Sequence, residues 1–227
     1  MKAVILAAGR GTRLRIYTDR MPKPLVPVCG RPVIEYTLLQ LAALGIRQVV
    51  INAWHLADML IAHIGDGSAW RLAVTWSREE SLMETGGGLR LALPLLGDEP
   101  VLVINGDILW RLDLLPLLAG FDPARMDGLL ALVDNPPDGE GDFSLAPEGR
   151  LRRDRGGATA LTYAGIQVIH PQALRPYPLE PFSLNRLYDD SMQAGRLFGL
   201  HLQGAWADIG TPERLARAER GWKESRP

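Results

Sequence analysis

Lys2-Ala3-Val4-Ile5-Leu6-Ala7-Ala8-Gly9-Arg10-Gly11-Thr12-Arg13-Leu14 opens the chain, and its two halves make different demands. Residues 2–7 form an apolar run closed by glycine, which predicts a strand covered on both faces. Cover on both faces belongs to a parallel sheet flanked by helices. Gly9 and Gly11 follow at once, and without Cβ atoms their backbone amides can approach phosphate oxygens. Ala8, Gly9, Gly11, Thr12 and Arg13 are therefore the first candidates for holding a nucleotide. Leu14 stands where a dinucleotide fingerprint has its third glycine, and no Gly-Lys-Ser/Thr follows, so the loop matches neither that motif nor a Walker A loop.

Outward from this strand the chain alternates. A helix is expected from Pro32 to a cap at Gly45, a buried strand at Gln48–Ala53 and a helix at Ala57–Ile64. A strand at Leu72–Trp76, a helix at Gly88–Leu96 and a strand at Val101–Ile104 continue the pattern. A helix at Leu114–Ala119 and a strand at Leu129–Val133 end it. Beyond Asp134 come a Pro/Gly/acid-rich loop (Asn135–Gly141), a hairpin over Phe143–Arg152 and a strand at Leu161–Ile169. A helix at Ser183–Ala194, a strand at Leu197–Leu202 and a Thr211-capped helix at Pro212–Trp222 complete the chain. This order predicts an α/β fold, a mixed, mostly parallel sheet with helices on both faces. One domain over 1–227 is expected: a nucleotide part of about 1–134, an acceptor part of about 135–205, and a terminal loop and helix over 206–227. In open sheets the ligand lies at the carboxyl ends of the strands, which selects Ala8–Arg13, Asn52–His55 and Asn105–Asp107.

Composition sets the outer limits. With 47% hydrophobic and 22% charged residues the chain is an ordinary globular one, not a disordered one. A net charge of −1 argues against a general nucleic-acid coat. Cys29, the single cysteine, cannot form an internal disulfide and fits a reducing compartment. No apolar run approaches the ~18 residues of a membrane span, and none has the make-up of a secretory leader, so a cytoplasmic protein is expected.

Against that neutral background residues 10–23 carry five cations and one anion, a local field suited to a polyanion. Lys23, one of only three lysines, is set between Pro22 and Pro24, whose fixed φ angles hold its backbone. Asp107 closes a buried strand in Ile104-Asn105-Gly106-Asp107, and Asp208 sits in Trp206-Ala207-Asp208-Ile209-Gly210-Thr211-Pro212. Mg²⁺ binds through one or two carboxylates plus phosphates, so both are candidate ligands, provided the fold brings them together. Glu84-Thr85-Gly86-Gly87-Gly88 opens a helix and lets backbone approach a base or ribose, with Glu84 and Gly87 as candidates. The four histidines lack zinc spacing and the six tryptophans are too scattered to stack bases.

These pieces together resemble the sugar-1-phosphate nucleotidylyltransferases. The resemblance rests on Leu-Ala-Ala-Gly-x-Gly-Thr-Arg-Leu at Leu6–Leu14, Pro-Lys-Pro at Pro22–Pro24, Asp107, and the Trp206–Pro212 stretch, and it runs to about residue 220. It implies a Rossmann-like nucleotidyltransferase fold. It also implies Arg13, Lys23 and Asp107 as catalytic, Asp107 and Asp208 as Mg²⁺ ligands, and Asn105, Gly141 and Gly165 at the acceptor. Glu84–Gly88, Val133–Pro137, Gly141–Phe143 and Gly210–Leu215 look like the bacterial branch that makes UDP-N-acetylmuramate from UTP in peptidoglycan recycling. With no C-terminal β-helix or dimerising extension, a monomer is expected, with UTP and a sugar 1-phosphate as its partners and no nucleic acid or membrane. The same chemistry with glucose or mannose 1-phosphate and another nucleoside triphosphate, such as GTP with mannose 1-phosphate, or a sensor that binds without turnover, are the competing readings. The family's acceptor-region lysine is missing: residues 150–157 read Arg-Leu-Arg-Arg-Asp-Arg-Gly-Gly. The lactyl carboxylate of muramate needs a cation in the cleft, and Arg152, Arg153 and Arg155 are the candidates.

Overall fold

A computed structural model describes residues 1–153 and 159–224. The chain runs β1 (Lys2–Leu6), α1 (Arg15–Thr18), β2 (Pro27–Val28), β3 (Arg31–Pro32), α2 (Val33–Ala43), β4 (Gln48–Ala53) and α3 (Ala57–Ile64). It continues through β5 (Ala73–Arg78), α4 (Glu84–Leu96), β6 (Val101–Asn105), β7 (Ile108–Leu112), α5 (Leu115–Gly120) and β8 (Gly128–Val133). The remainder is β9 (Phe143–Leu145), β10 (Leu151–Arg153), β11 (Thr162–Ile169), α6 (Leu184–Gln193), β12 (Leu197–His201), β13 (Gly204–Asp208) and α7 (Pro212–Glu224).

Seven strands form the main sheet in the order β12-β8-β11-β6-β1-β4-β5. The expected mixed α/β sheet is what forms. β1 lies parallel to both β4 and β6, and only β11 runs against its neighbours β6 and β8. The apolar run at 2–7 is explained by cover on both sides. Ala3 and Ile5 pack on one face with Ile34, Leu38 and Leu41 of α2 and Leu60 of α3. Val4 packs on the other with Leu89, Ala92 and Leu96 of α4 and Leu184 and Leu187 of α6.

Helix limits follow local chemistry. Gly45, at φ +79°, ends α2. Ser183 caps α6 through Asn185 N–H, and Thr211 Oγ1 accepts from Arg214 N–H at 3.3 Å at the start of α7. Most boundaries fall within two residues of expectation, and two of the differences have a clear cause. The third strand sits at Ala73–Arg78 rather than Leu72–Trp76, because pairing with β4 begins at Gln48 opposite Ala73 and runs on to Asn52 opposite Ser77 and Ala53 opposite Arg78. α4 starts at Glu84, so the glycines fill its first turns and do not precede it.

The pairing of β7 with β13 is absent from the sequence reading. It forms an antiparallel ribbon beside the main sheet, with Trp110 opposite Trp206 and Ile108 opposite Asp208. A third apolar cluster anchors it: Leu14, Val26, Val28, Val33, Leu109, Ile209, Leu215, Ala218 and Trp222. Thus α7 packs on the ribbon and on the loop after β1 at once. Among the described residues no helix is long and apolar enough to cross a membrane.

Leu215 is 5% exposed within that third cluster. Leu215→Ala is expected to cost about 2–4 kcal/mol by urea unfolding, the range for a buried leucine truncated in a packed core. A loss below about 1 kcal/mol would show that α7 adds little to the core.

Candidate active site

The carboxyl ends of β1, β4 and β6 open into a groove. At one end it is lined by Leu6–Gly9, Lys23, Asn52, Leu82, Glu84, Thr85 and Asn105–Asp107. Its middle is lined by Arg13, Asn105, Asp107, Asp142, Gly165, Asp208 and Arg214. The far end adds Pro136 and Asp138–Gly141. Shared residues join the three parts.

The loop after β1 is set by its own backbone. Gly11 takes φ +67° and accepts from Leu14 N–H at 2.8 Å to start a helical turn. A Cβ at Gly11 would lie 2.8 Å from Thr18 Cγ2 and 3.3 Å from the Lys23 side chain, so the glycine is required twice. Thr18 Oγ1 donates to Gly11 O at 2.9 Å, and His55 Nε2 donates to Thr18 O at 2.7 Å. The carbonyl acceptor fixes the proton on Nε2.

Lys23 is 9% exposed. Its Nζ forms an ion pair with Asp107 Oδ2. Asp107 occupies the turn between β6 and β7, and its carbonyl accepts from Ile209 N–H at 3.2 Å. The ribbon thereby puts Asp208 beside Asp107, although 101 positions separate them in sequence. Asp208 Oδ1 accepts from Gly210 N–H at 2.8 Å and Oδ2 from Arg214 Nη1 at 2.7 Å. Arg214 Nε reaches Asp138 Oδ2 at 2.9 Å, and Arg217 Nη2 reaches Asp138 Oδ1 at 2.6 Å. The bond from Arg214 is the main reason the exposed Asp138 carboxyl sits below its usual range.

The remaining expected residues divide. Ala8, Gly9 and Glu84 line the first part of the groove, and Asn105 and Gly165 the middle. Gly165 has φ +72° at a bulge, and a Cβ there would lie 2.8 Å from Asn105 Nδ2. Gly141 lies at the far end with φ +75°. Thr12 is exposed at the start of the helical turn. Gly87 differs from the expected backbone contact: its amide and that of Gly86 both donate to Phe182 O, at 3.1 and 2.8 Å. Its Cα faces Glu180 O, so this glycine serves close packing. Of the other cations in the charge run, Arg10, Arg15 and Arg20 are exposed.

The arginines expected near the acceptor also need correction. Arg153 Nε bonds Asp189 Oδ1 at 2.9 Å and Nη2 bonds Asn185 Oδ1 at 3.0 Å, with the guanidinium over Phe143. Arg152 is exposed on the hairpin, and Arg155 lies outside the described residues. Among the described residues, the arginines that line the groove are Arg13 and Arg214. Sequence reasoning missed Arg214, whose place depends on the β7–β13 pairing. It also missed Glu79, which left no signal, and it selected Asn52 only as the start of a strand-end stretch, without a role for its amide.

Among the described residues no three His, Cys, Asp or Glu side chains gather as a metal cage. Asp107, just before the ribbon, and Asp208, at its end, are two hard carboxylate donors of the kind that Mg²⁺ takes beside phosphate oxygens and water. The residues present fit that ion.

Residues 2–143 match the nucleotidyl transferase family. The chain belongs to that family. It is 39% identical to the N-acetylmuramate α-1-phosphate uridylyltransferase of Neisseria meningitidis serogroup B, over 96% of this chain and 97% of the relative. It is 35% identical to the enzyme of the same name from Caulobacter vibrioides, over 96% and 95%. A mannose-1-phosphate guanylyltransferase of Mycobacterium tuberculosis is 32% identical over 95% of this chain and 62% of the relative. The fold matches HddC from Yersinia pseudotuberculosis, solved with GMP-PN, at a TM-score of 0.81 and 24% identity, over 97% of this chain and 99% of that one.

Lys23→Arg replaces a compact ammonium by a planar fork where the side chain packs on Gly11 and pairs with Asp107. A loss of about 10²-fold in turnover is expected, the scale for removing one charge-stabilising donor. A loss below about threefold, measured by pyrophosphate release, would show Lys23 to be a structural cation only.

Proposed function

We propose that this enzyme transfers a uridylyl group from UTP to N-acetylmuramate α-1-phosphate, giving UDP-N-acetylmuramate and pyrophosphate. One observation carries the reading. A single groove runs from a phosphate-binding loop, past a buried lysine and two ribbon-borne aspartates, to a cleft lined by arginine. The full-length likeness to two uridylyltransferases supports the choice of base and sugar. Such an enzyme belongs in the cytoplasm, where cell-wall sugars are recycled.

The chemistry asks little of proton transfer. A sugar phosphate has a second pKa of about 6 and is mostly a dianion at neutral pH. One of its oxygens attacks the α-phosphorus of UTP, and the bond to the pyrophosphate oxygen breaks. Catalysis is then alignment and charge stabilisation, which suits a groove without a catalytic histidine. Ala8, Gly9, Gly11 and Thr12 form the loop that receives the phosphates, and Arg13 and Lys23 oppose the charge that builds on phosphorus and pyrophosphate. Glu84 faces the nucleoside, and Gly87 seats the start of α4 behind it. Asn105, Gly141 and Gly165 shape the acceptor end. Asp107 and Asp208 would hold Mg²⁺, which neutralises phosphate charge when bound. Arg214, with Arg217 behind it, is the cation for the lactyl carboxylate, and Asp138 stands in for that carboxylate in the free enzyme.

The acceptor panel tests this directly. With UTP, kcat/KM is expected to be highest for N-acetylmuramate 1-phosphate, compared with N-acetylglucosamine, glucose and mannose 1-phosphates. A site built for a carboxylate leaves its arginine unpaired with the wrong sugar. Arg214→Ala should narrow the preference for muramate over glucosamine at least about tenfold. A best rate with mannose 1-phosphate, or with GTP as donor, would retain only the reaction class.

Asp107→Ala should abolish metal-dependent turnover while the circular dichroism spectrum is kept, since the side chain lies in a turn at a strand end. Near-normal pyrophosphate release from a folded variant would remove Asp107 from the chemistry.

A further inference from the structure

Glu79 is 4% exposed, and among the described residues no cation pairs with it. Burial pushes its carboxyl pKa upward. A buried carboxylate without a counter-ion is costly unless its oxygens are hydrogen-bonded. Here both are. Oε1 accepts from Asn52 Nδ2 at 2.7 Å, and Oε2 accepts from Met83 N–H at 3.0 Å. Asn52 is itself 2% exposed, and its Oδ1 accepts from Ala7 N–H at 2.6 Å. The donors therefore converge on Glu79: the amide of Ala7 donates to Asn52 and the amide of Asn52 to Glu79 from one side, and the amide of Met83 donates to Glu79 from the other.

Its ends are the two lips of the nucleotide part of the groove. Ala7 leads into the phosphate-binding loop. Met83 leads into Glu84, which lines the groove at φ +58°, a left-handed conformation that a non-glycine residue holds only when its surroundings fix it. Gly88 makes room for the relay: a Cβ there would lie 2.5 Å from Glu79 Oε1 and 2.7 Å from Asn52 Nδ2.

We propose that Glu79 is a positioning residue for the nucleotide, clamping the turn at Leu82–Thr85 to the phosphate-binding loop through Asn52. Neither carboxylate oxygen is free to meet the substrate. The role is to fix the distance between the groups that receive the base end and those that receive the phosphate end. The inference rests on the reading that this end of the groove holds the nucleotide.

Each bond of the relay has a fixed donor, which supplies a test. Glu79→Gln keeps shape but gives one oxygen position an amide, which opposes either the Asn52 amide or the Met83 N–H. Asn52→Asp alone sets two carboxylates against each other. In the double variant the amide introduced at position 79 donates to the carboxylate introduced at position 52. The remaining oxygen at position 79 still accepts from Met83 N–H, and the second oxygen at position 52 still accepts from Ala7 N–H. Steady-state kinetics are run with whichever nucleoside triphosphate the unmodified enzyme uses best, so a wrong donor base leaves this test intact. Glu79→Gln should raise donor KM about tenfold, with kcat and acceptor KM within about threefold of the unmodified enzyme. The double variant should recover donor KM to within about threefold. Melting temperatures are recorded for all three variants. A donor KM within about twofold in Glu79→Gln overturns the proposal, with or without a lower melting temperature. So does a double variant that stays as impaired as the single one.

Discussion

A buried ammonium must have an anion, and here Lys23 takes Asp107. The Asp107 side chain keeps 29% of its exposure, so the pair is only partly buried, and losing one partner costs less than the roughly 3–5 kcal/mol typical of a fully buried pair. The pairing has consequences along the chain. It fastens the turn held by Pro22 and Pro24 to the end of β6, so the loop after β1 is closed at both ends. Gly11 has no side chain because Lys23 and Thr18 occupy that space. The ribbon that begins at Ile108 then carries the same anchor across to Asp208.

Much of the fold was legible because burial on both faces leaves a strong mark. Strands such as Gln48–Ala53 and helices such as Ala57–Ile64 were readable to the residue, because apolar runs and glycine punctuation set their ends locally. The β7–β13 ribbon was not. Ile108–Leu112 follows β6 after only two residues and extends its apolar run, while Gly204–Asp208 has small residues and little β-propensity. Its strand character comes from a partner about a hundred positions away. The site divided in the same manner. Loop residues with constrained backbones, such as Gly11 and Lys23, announced themselves. Glu79 and Arg214 did not, since one acts through Asn52 and the other depends on α7 being laid over the ribbon.

The free site is already largely neutralised. Lys23 stands on Asp107, Arg214 on Asp208, and Arg214 and Arg217 together on Asp138. A polyanion entering the groove therefore meets Arg13, unpaired among the described residues, and otherwise meets charges that are already partnered. It exchanges partners with carboxylates that are already paired, and the net cost of desolvation is shared between the old pairs and the new ones. Arg214 is the pivot, because it touches both the ribbon aspartate and the loop at the acceptor end.

The ribbon also sets an order of events during synthesis. Every strand of the main sheet is complete by His201, yet Asp208 and the helix that secures it lie beyond that point. A nascent chain can therefore assemble its whole central sheet with Asp107 in place and still lack the second carboxylate. Ribbon closure needs Gly204–Asp208, the last strand of the chain, so it follows the sheet in order of synthesis. The chain acquires its architecture first and its paired acids last, and a partly made copy would fold around a groove that has only one of them.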